Sequence, residues 1–271
     1  MAKFPPIERI LFMDIETAPH YRSIEEIPEP LRVYWEERYE RRRSPAEAEQ
    51  EKDAYFLEKS GIHALYSRVV CIGLGYFRKV GGQWEWREEV LCDTDEKKLL
   101  ETFRSVWEKF RSHAHQNLLP TFTAEPSFAI CGHNIRNFDI PFLGRRLLSL
   151  AIPLPAFWRE AQDAQPWQLK DPLLIDTMRL WNFTSSENSF ISLELLAYAL
   201  GIPFQKSIKH TDIRKAFYSW VDTGDSSLFQ TVLEYCKRDV QVTAEIFIRM
   251  QIDSSAEKEK LIQSIKEKQN I

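Results

Sequence analysis

The chain predicts an α/β fold: a mixed, mostly parallel five-stranded sheet flanked by helices, with a helical insertion after the first strand. Three observations carry this expectation. Two strand-like runs, 68–77 and 83–92, are separated by KVGG, whose Gly-Gly pair reads as a hairpin turn. Beyond them, short apolar runs alternate with stretches of 3.6-residue periodicity, the pattern of strands interleaved with amphipathic helices. Finally, 271 residues with 44% hydrophobic and 13% aromatic content supply a sizeable core and exclude wholesale disorder.

Taken in order, residues 8–15 (ERILFMDI) are an apolar, β-rich run ending in acids and form the expected first strand. Residues 20–66 are charged, punctuated by prolines and helical in character, so they read as an insertion laid over the domain. After the hairpin, 95–112 sets Leu99, Leu100, Phe103, Val106, Trp107 and Phe110 on one helical face, with Asp93 or Thr94 as its cap. A buried strand is expected over 127–134. A helix then begins near Pro141, a residue tolerated in a first turn. Residues 172–178 give the fifth strand, 192–202 a short helix ended by Gly201, and 226–252 a long final helix. The charged tail from Ser254 is expected to extend that helix or fray. In sheets of this kind functional groups gather at strand ends, and Asp14 and Glu16 are expected at one.

No run reaches the roughly 18 to 20 apolar residues of a membrane span, and ILFM near the N-terminus is too short for a signal-peptide core. A cytoplasmic location is therefore expected. The four cysteines, Cys71, Cys92, Cys131 and Cys236, are scattered with no CxxC pair, which argues for buried reduced thiols rather than a zinc site. A net charge of −4 disfavours extensive wrapping of a phosphate backbone and suits brief contact with a strand end.

Three pieces carry candidate chemistry. In Asp14-Ile15-Glu16, strand alternation points both carboxylates to one side while Ile15 enters the core. Two like charges so held call for a cation, and oxygen ligands suit Mg²⁺ or Mn²⁺; an isolated pair can equally mark the polar end of a strand. Next, Gly132-His133-Asn134 and Asn137-Phe138-Asp139 lie between a buried strand and a helix, where Asp139 could also be an ordinary N-cap. On the last helix Tyr235 and Asp239 stand four apart and share a face.

Together, FMDIET, GHNIRNFDIPFL and YCKRD resemble in order and spacing the DEDDy 3′→5′ exonucleases of the ribonuclease H-like superfamily. The run from Asn134 to Leu143 is especially similar to the proofreading domains of family-B DNA polymerases, and nearest to the predicted exonucleases related to them. IDTMRLW and SLELLAYALGIP also look like that family's intervening segments, so the resemblance covers roughly residues 8–250. Glu234 occupies the position where histidine-type relatives carry their catalytic His, and Tyr235 fits the tyrosine subtype.

The resemblance implies a 3′→5′ exonuclease domain over 1–253, with 20–66 as its insertion and 254–271 as a tail. Catalytic residues would be Asp14, Glu16, Asp139, Tyr235 and Asp239. The four carboxylates would hold two divalent cations, Mg²⁺ or Mn²⁺, with Asp14 bridging, and Tyr235 would orient the attacking water. Thr17 and Asn134 would lie beside the terminal nucleotide, and Phe138 would stack on a base or pack under its helix. The implied substrate is the 3′ end of a nucleic acid, single-stranded DNA favoured over RNA. An exoribonuclease and a non-catalytic nucleic-acid-binding module are the alternatives. His133 reads as a structural histidine. Arg41, Arg42, Arg43, Arg145 and Arg146 read as solvated helix faces with a possible phosphate role. Lys206 and Lys209 precede His210 in a loop that could approach the bound nucleic-acid strand, which the sequence leaves open.

Overall fold

The structure is a computed structural model that describes residues 4–116, 128–163, 173–183, 190–205 and 208–269. Its strands are β1 (Ile10–Pro19), β2 (Ser67–Val80), β3 (Gln83–Cys92), β4 (Ala129–Gly132) and β5 (Leu173–Asp176). The helices are α1 (Glu29–Arg38), α2 (Pro45–Ala48), α3 (Lys52–Lys59), α4 (Glu96–Gln116), α5 (Asp139–Ser149), α6 (Ala156–Asp163), α7 (Thr177–Asn182), α8 (Leu193–Ala199), α9 (His210–Thr223), α10 (Ser227–Gln251) and α11 (Ser255–Gln269). Ser127, Pro172 and Lys206, which figure in the expectations above, lie outside the described residues.

The five strands form one sheet in the order β3-β2-β1-β4-β5. β1 pairs with β2, and β2 with β3, in antiparallel fashion, while β4 lies parallel to both β1 and β5. The sheet is thus evenly mixed rather than mostly parallel, because two of its four pairings, β1–β2 and the β2–β3 hairpin, are antiparallel. Gly81 and Gly82 both adopt positive φ (57° and 82°), the two-residue turn that matches strand twist and that other residues enter at a steric cost.

Strand alternation sorts the side chains between two cores. Leu11, Met13 and Ile15 face α4, α5 and α6 together with Ile72, Leu74, Ile130 and Leu174. Phe12 faces the other way, toward Val240, Ala244 and Phe247 of α10. Bulky side chains fill both layers, Trp107 of α4 and Trp158 of α6 on one face, Phe247 of α10 and Trp86 of β3 on the other.

Two boundaries differ from expectation in ways that matter. The first strand runs on to Pro19, because β2 continues to pair with it well past Glu16. The parallel partner β4, by contrast, stops at Phe12↔Cys131. Asp14 and Glu16 therefore lie inside a strand, and they border an open edge only on the β4 side. The charged tail neither continues α10 nor frays. After a break at Ile252 it folds back as α11, burying Leu261 and Ile265 against the α10 face of the sheet. Those two residues are four apart, so one turn-spaced apolar pair is enough to dock an otherwise polar helix.

Residues 20–66 build a cluster of their own. Trp35, fully buried, is surrounded by Tyr39, Phe56 and Tyr66, with Ile24 and Ile27 beneath. Arg43, read from sequence as a solvated residue, instead pairs with Glu40 at 2.6 Å, donates to the carbonyls of Glu47 and Gln50, and lies over the Tyr55 ring. It is an organising residue of this segment.

Arg146 also departs from the surface reading. It is buried and donates twice to Glu96, at 2.9 and 2.6 Å, and once to the Ala64 carbonyl at 2.9 Å. Glu96 in turn accepts the Val69 amide at 2.9 Å. One ion pair thus ties α5, α4, β2 and the end of the inserted segment together. Removing only the arginine leaves a buried carboxylate unpaired. Arg146→Met should therefore cost about 3–5 kcal/mol in denaturant unfolding, and combining it with Glu96→Gln should recover part of that loss.

Candidate metal centre

The site is assembled from the middle of β1 and one face of α10. Asp14 and Glu16 project from the α10 side of the sheet, as their alternation with Met13 and Ile15 requires. Gly73 of β2 lies directly across from Asp14. A Cβ on Gly73 would come within 2.7 Å of Val240 Cγ2 and 2.9 Å of Cys236 Sγ, so α10 can sit this close only over a glycine. Cys236 fills the space left, its Sγ 3.9 Å from Asp14 Oδ2. On the same helix Tyr235 and Asp239 then overhang the strand.

The result is a convergence of carboxylates. Ligand oxygens of Asp14, Glu16 and Asp239 all lie within 4.8 Å of one another, with Glu16 and Asp239 buried and Asp14 half-buried. Three like charges at this spacing repel strongly away from water, and an all-oxygen set of this kind suits a hard divalent ion. These residues fit such an ion, and they are the group among the described residues that could hold one. Tyr235 stands beside them and donates its hydroxyl to the Asp239 carboxylate. Burial raises the phenol's pKa, and the charges of Asp239 and Glu16 raise it further, so the hydroxyl keeps its proton. A register shift between Glu16 and Thr17, where Val70 of β2 is left without a partner on β1, interrupts the ladder just past the site before pairing resumes to Pro19.

Asp139 is placed differently. It is not the N-cap of α5, a position held by Phe138, and it is not one of the three converging carboxylates. Instead its Oδ1 accepts the Ile15 amide at 3.1 Å. Where β4 stops, a carboxylate takes over the open backbone donor of β1, which sets Asp139 beside the chain link between Asp14 and Glu16.

The loop that delivers Asp139 is organised by Asp176, a residue that sequence reasoning passed over. Asp176 ends β5 and is buried. Its carboxylate caps α7 through the Met178 amide at 3.1 Å, and also accepts the amides of Asn134 at 3.0 Å and Arg136 at 3.3 Å. The one available signal was an Asp ending an apolar run ahead of a helix, which reads as an N-cap and hides the longer-range role.

The other expected residues each have structural partners. Asn134 takes φ 58°, a left-handed conformation that Asn tolerates, and its side chain accepts from Asn137 at 2.9 Å. The Thr17 hydroxyl donates to the Gly61 carbonyl at 2.7 Å. Phe138 is half-buried and packs against Phe142 with ring centroids 5.5 Å apart. His133 bridges Thr177 Oγ1 (2.9 Å) and the Ile191 carbonyl (2.8 Å). Since a carbonyl only accepts, Nε2 carries a proton, and burial lowers the ring's pKa toward this neutral form. All four cysteines are free.

A mixed sheet that presents buried carboxylates from its first strand to a helix crossing that face defines an α/β protein with a candidate divalent-cation centre. A model of the RNase H superfamily matches residues 54–251, and the chain belongs to that superfamily. No curated protein matches the chain. Membership suggests a metal-dependent nuclease acting on nucleic acid. The matched span begins after β1, so Asp14 and Glu16 enter the site through the fold. No helix among the described residues is long and apolar enough to cross a membrane.

Burial holds the Asp139 pKa up at about 7 against the usual 3.8, with the nearby charge of Asp176 adding to the effect and the amides of Asp139 and Ile15 opposing it. A carboxyl whose folded pKa is raised contributes full stability below its unfolded pKa, and this is lost as pH rises from the unfolded to the folded value. The cation-free chain should therefore melt at progressively lower temperature between about pH 4 and pH 7. Asp139→Asn should flatten that slope in calorimetric scans.

Proposed function

We propose that the chain is a 3′→5′ exonuclease that removes nucleoside 5′-monophosphates from the 3′ end of single-stranded DNA. The observation that carries this reading is the convergence of Asp14, Glu16 and Asp239 within 4.8 Å, with the Tyr235 hydroxyl on Asp239. It is supported by the resemblance of FMDIET, GHNIRNFDIPFL and YCKRD to the tyrosine-type exonucleases. Residues 1–253 act as the nuclease unit in this reading.

Asp14, Glu16 and Asp239, with Asp139 held on the intervening Ile15 amide, would hold two divalent cations, Mg²⁺ or Mn²⁺. When bound, such ions supply Lewis-acid stabilisation to both the attacking and the leaving oxygen of an in-line displacement. The protein supplies orientation and charge. Tyr235, protonated in the cation-free site, positions the attacking water through its hydroxyl. Asp139, fixed to the Ile15 amide, holds its carboxylate at a set distance from β1.

Matched DNA and RNA oligomers, labelled at the 5′ or the 3′ end, test the reading with Mg²⁺ or Mn²⁺ and with EDTA. The expected outcome is a descending ladder from 5′-labelled strands, mononucleotide from 3′-labelled ones, and no product in EDTA. Internal fragments from both labels would show an endonuclease instead. Faster loss of RNA than DNA would assign an exoribonuclease. Asp14→Ala should abolish turnover, whereas Tyr235→Phe should slow it roughly 100-fold while leaving cation binding intact.

A further inference from the structure

We propose that the end of the inserted segment, residues 60–66, forms a rim that binds the unstacked bases of a single-stranded end, through Ile62 and Leu65. The proposal rests on the nuclease reading above and assigns a substrate-binding part to a segment that reading does not use.

This stretch of chain is tied to the body of the protein at successive backbone carbonyls. Ser60 accepts from the Ser67 hydroxyl at 2.8 Å, Gly61 from Thr17 at 2.7 Å, Ala64 from Arg146 at 2.9 Å, and Tyr66 from the His20 amide at 2.7 Å. Thr17 directly follows Glu16, and α5, which carries Arg146, also carries Asp139. The loop therefore spans between the two elements that bear these carboxylates. Its inward residues are His63, whose ring lies 4.6 Å from that of Tyr39, and Ala64, buried in the α5-side core. Ile62 and Leu65 are left facing water, 56% and 53% exposed.

A loop fastened at four carbonyls cannot turn these side chains inward, so their exposure is a fixed property of the fold. Apolar side chains held rigidly in water beside a polar site form a surface for a partner with apolar faces. A base meets that description only when it is unstacked, which selects a single-stranded end over a duplex. Exposed guanidinium groups are also available: Arg38, whose charge acts on His63, and Arg41 and Arg42 just beyond it can meet phosphates from among the acids Glu36, Glu37 and Glu40. A second copy of this chain would offer no comparable reason for a position on the loop held by Thr17, the residue after Glu16.

The test is Ile62→Ser/Leu65→Ser in the full chain, assayed on a single-stranded deoxyoligonucleotide and on methyl p-nitrophenyl phosphate, a diester with no base. KM for the oligomer should rise about fivefold to tenfold with kcat nearly unchanged, as loss of base contacts predicts. Hydrolysis of the base-free diester and the melting temperature should stay as in the unmodified chain. Ile62→Phe/Leu65→Phe should restore or lower KM. An unchanged KM would overturn the proposal, as would equal losses on both substrates. So would an altered sedimentation coefficient with unchanged KM, which would mark the pair as a self-association surface. If the unmodified chain hydrolyses neither substrate, the nuclease reading itself fails and takes the rim with it.

Discussion

The closeness of α10 to the sheet is the constraint on which the site depends. Asp14 and Glu16 belong to β1, and Asp239 is more than two hundred residues away on a helix. They meet because β2 presents a glycine at the point where the helix crosses. With Gly73 across from Asp14, the helix backbone approaches until Cys236 and Val240 fill the space a side chain would take. Interiors are packed densely enough that one added methyl is felt, so the spacing of the carboxylates is set by this contact. The opposing term is electrostatic. Drawing three carboxylates together in a partly buried site costs free energy, and packing of Val240, Ala244 and Phe247 over Phe12 holds the helix down against it.

A second constraint acts at the other edge of β1. Because β4 is only four residues long, the backbone of β1 is left open where the carboxylates begin. An open amide beside a buried core needs an acceptor, and Asp139 supplies it. The short strand thus does two things at once: it frees an edge and makes room for the loop that carries the acid to it. Asp176 gives that loop its shape by gathering the amides of Asn134 and Arg136 at the end of β5.

Much of this was legible in the sequence, and the remainder has a physical reason for being hidden. Alternation in 10–16 and the four-residue spacing of Tyr235 and Asp239 are local, so the residues that share a face could be named from the chain alone. The hairpin followed from Gly81 and Gly82 for the same reason. What escaped was long-range. Gly73 looks like any glycine in a strand until the crossing helix is known. Arg146 lies on a helix whose buried face can be read from periodicity, but its partner, Glu96, is fifty residues away and is itself at a helix start that reads as exposed. Asp176 shows the same ambiguity, since a helix cap and a loop organiser use one carboxylate in one place.

The inserted segment shows how a fold can add to a site without altering it. Residues 20–66 interrupt the passage from β1 to β2, yet their aromatic cluster around Trp35 is independent of the sheet cores. An insertion of this kind costs little in loop closure, because the entropic term grows only slowly with length. It is fastened to the rest at both ends: at its start Arg22 pairs with Asp222 of α9 and the Tyr218 hydroxyl donates to the His20 carbonyl, and at its end the carbonyls of Gly61 and Ala64 accept from Thr17 and Arg146, above the Glu96–Arg146 pair. That pair also fixes α5, at whose start Asp139 stands. One buried ion pair therefore sets the position of the fourth carboxylate and of the rim together. A change there should be felt as a shift of both, while the three carboxylates held between β1 and α10 rest on a separate contact.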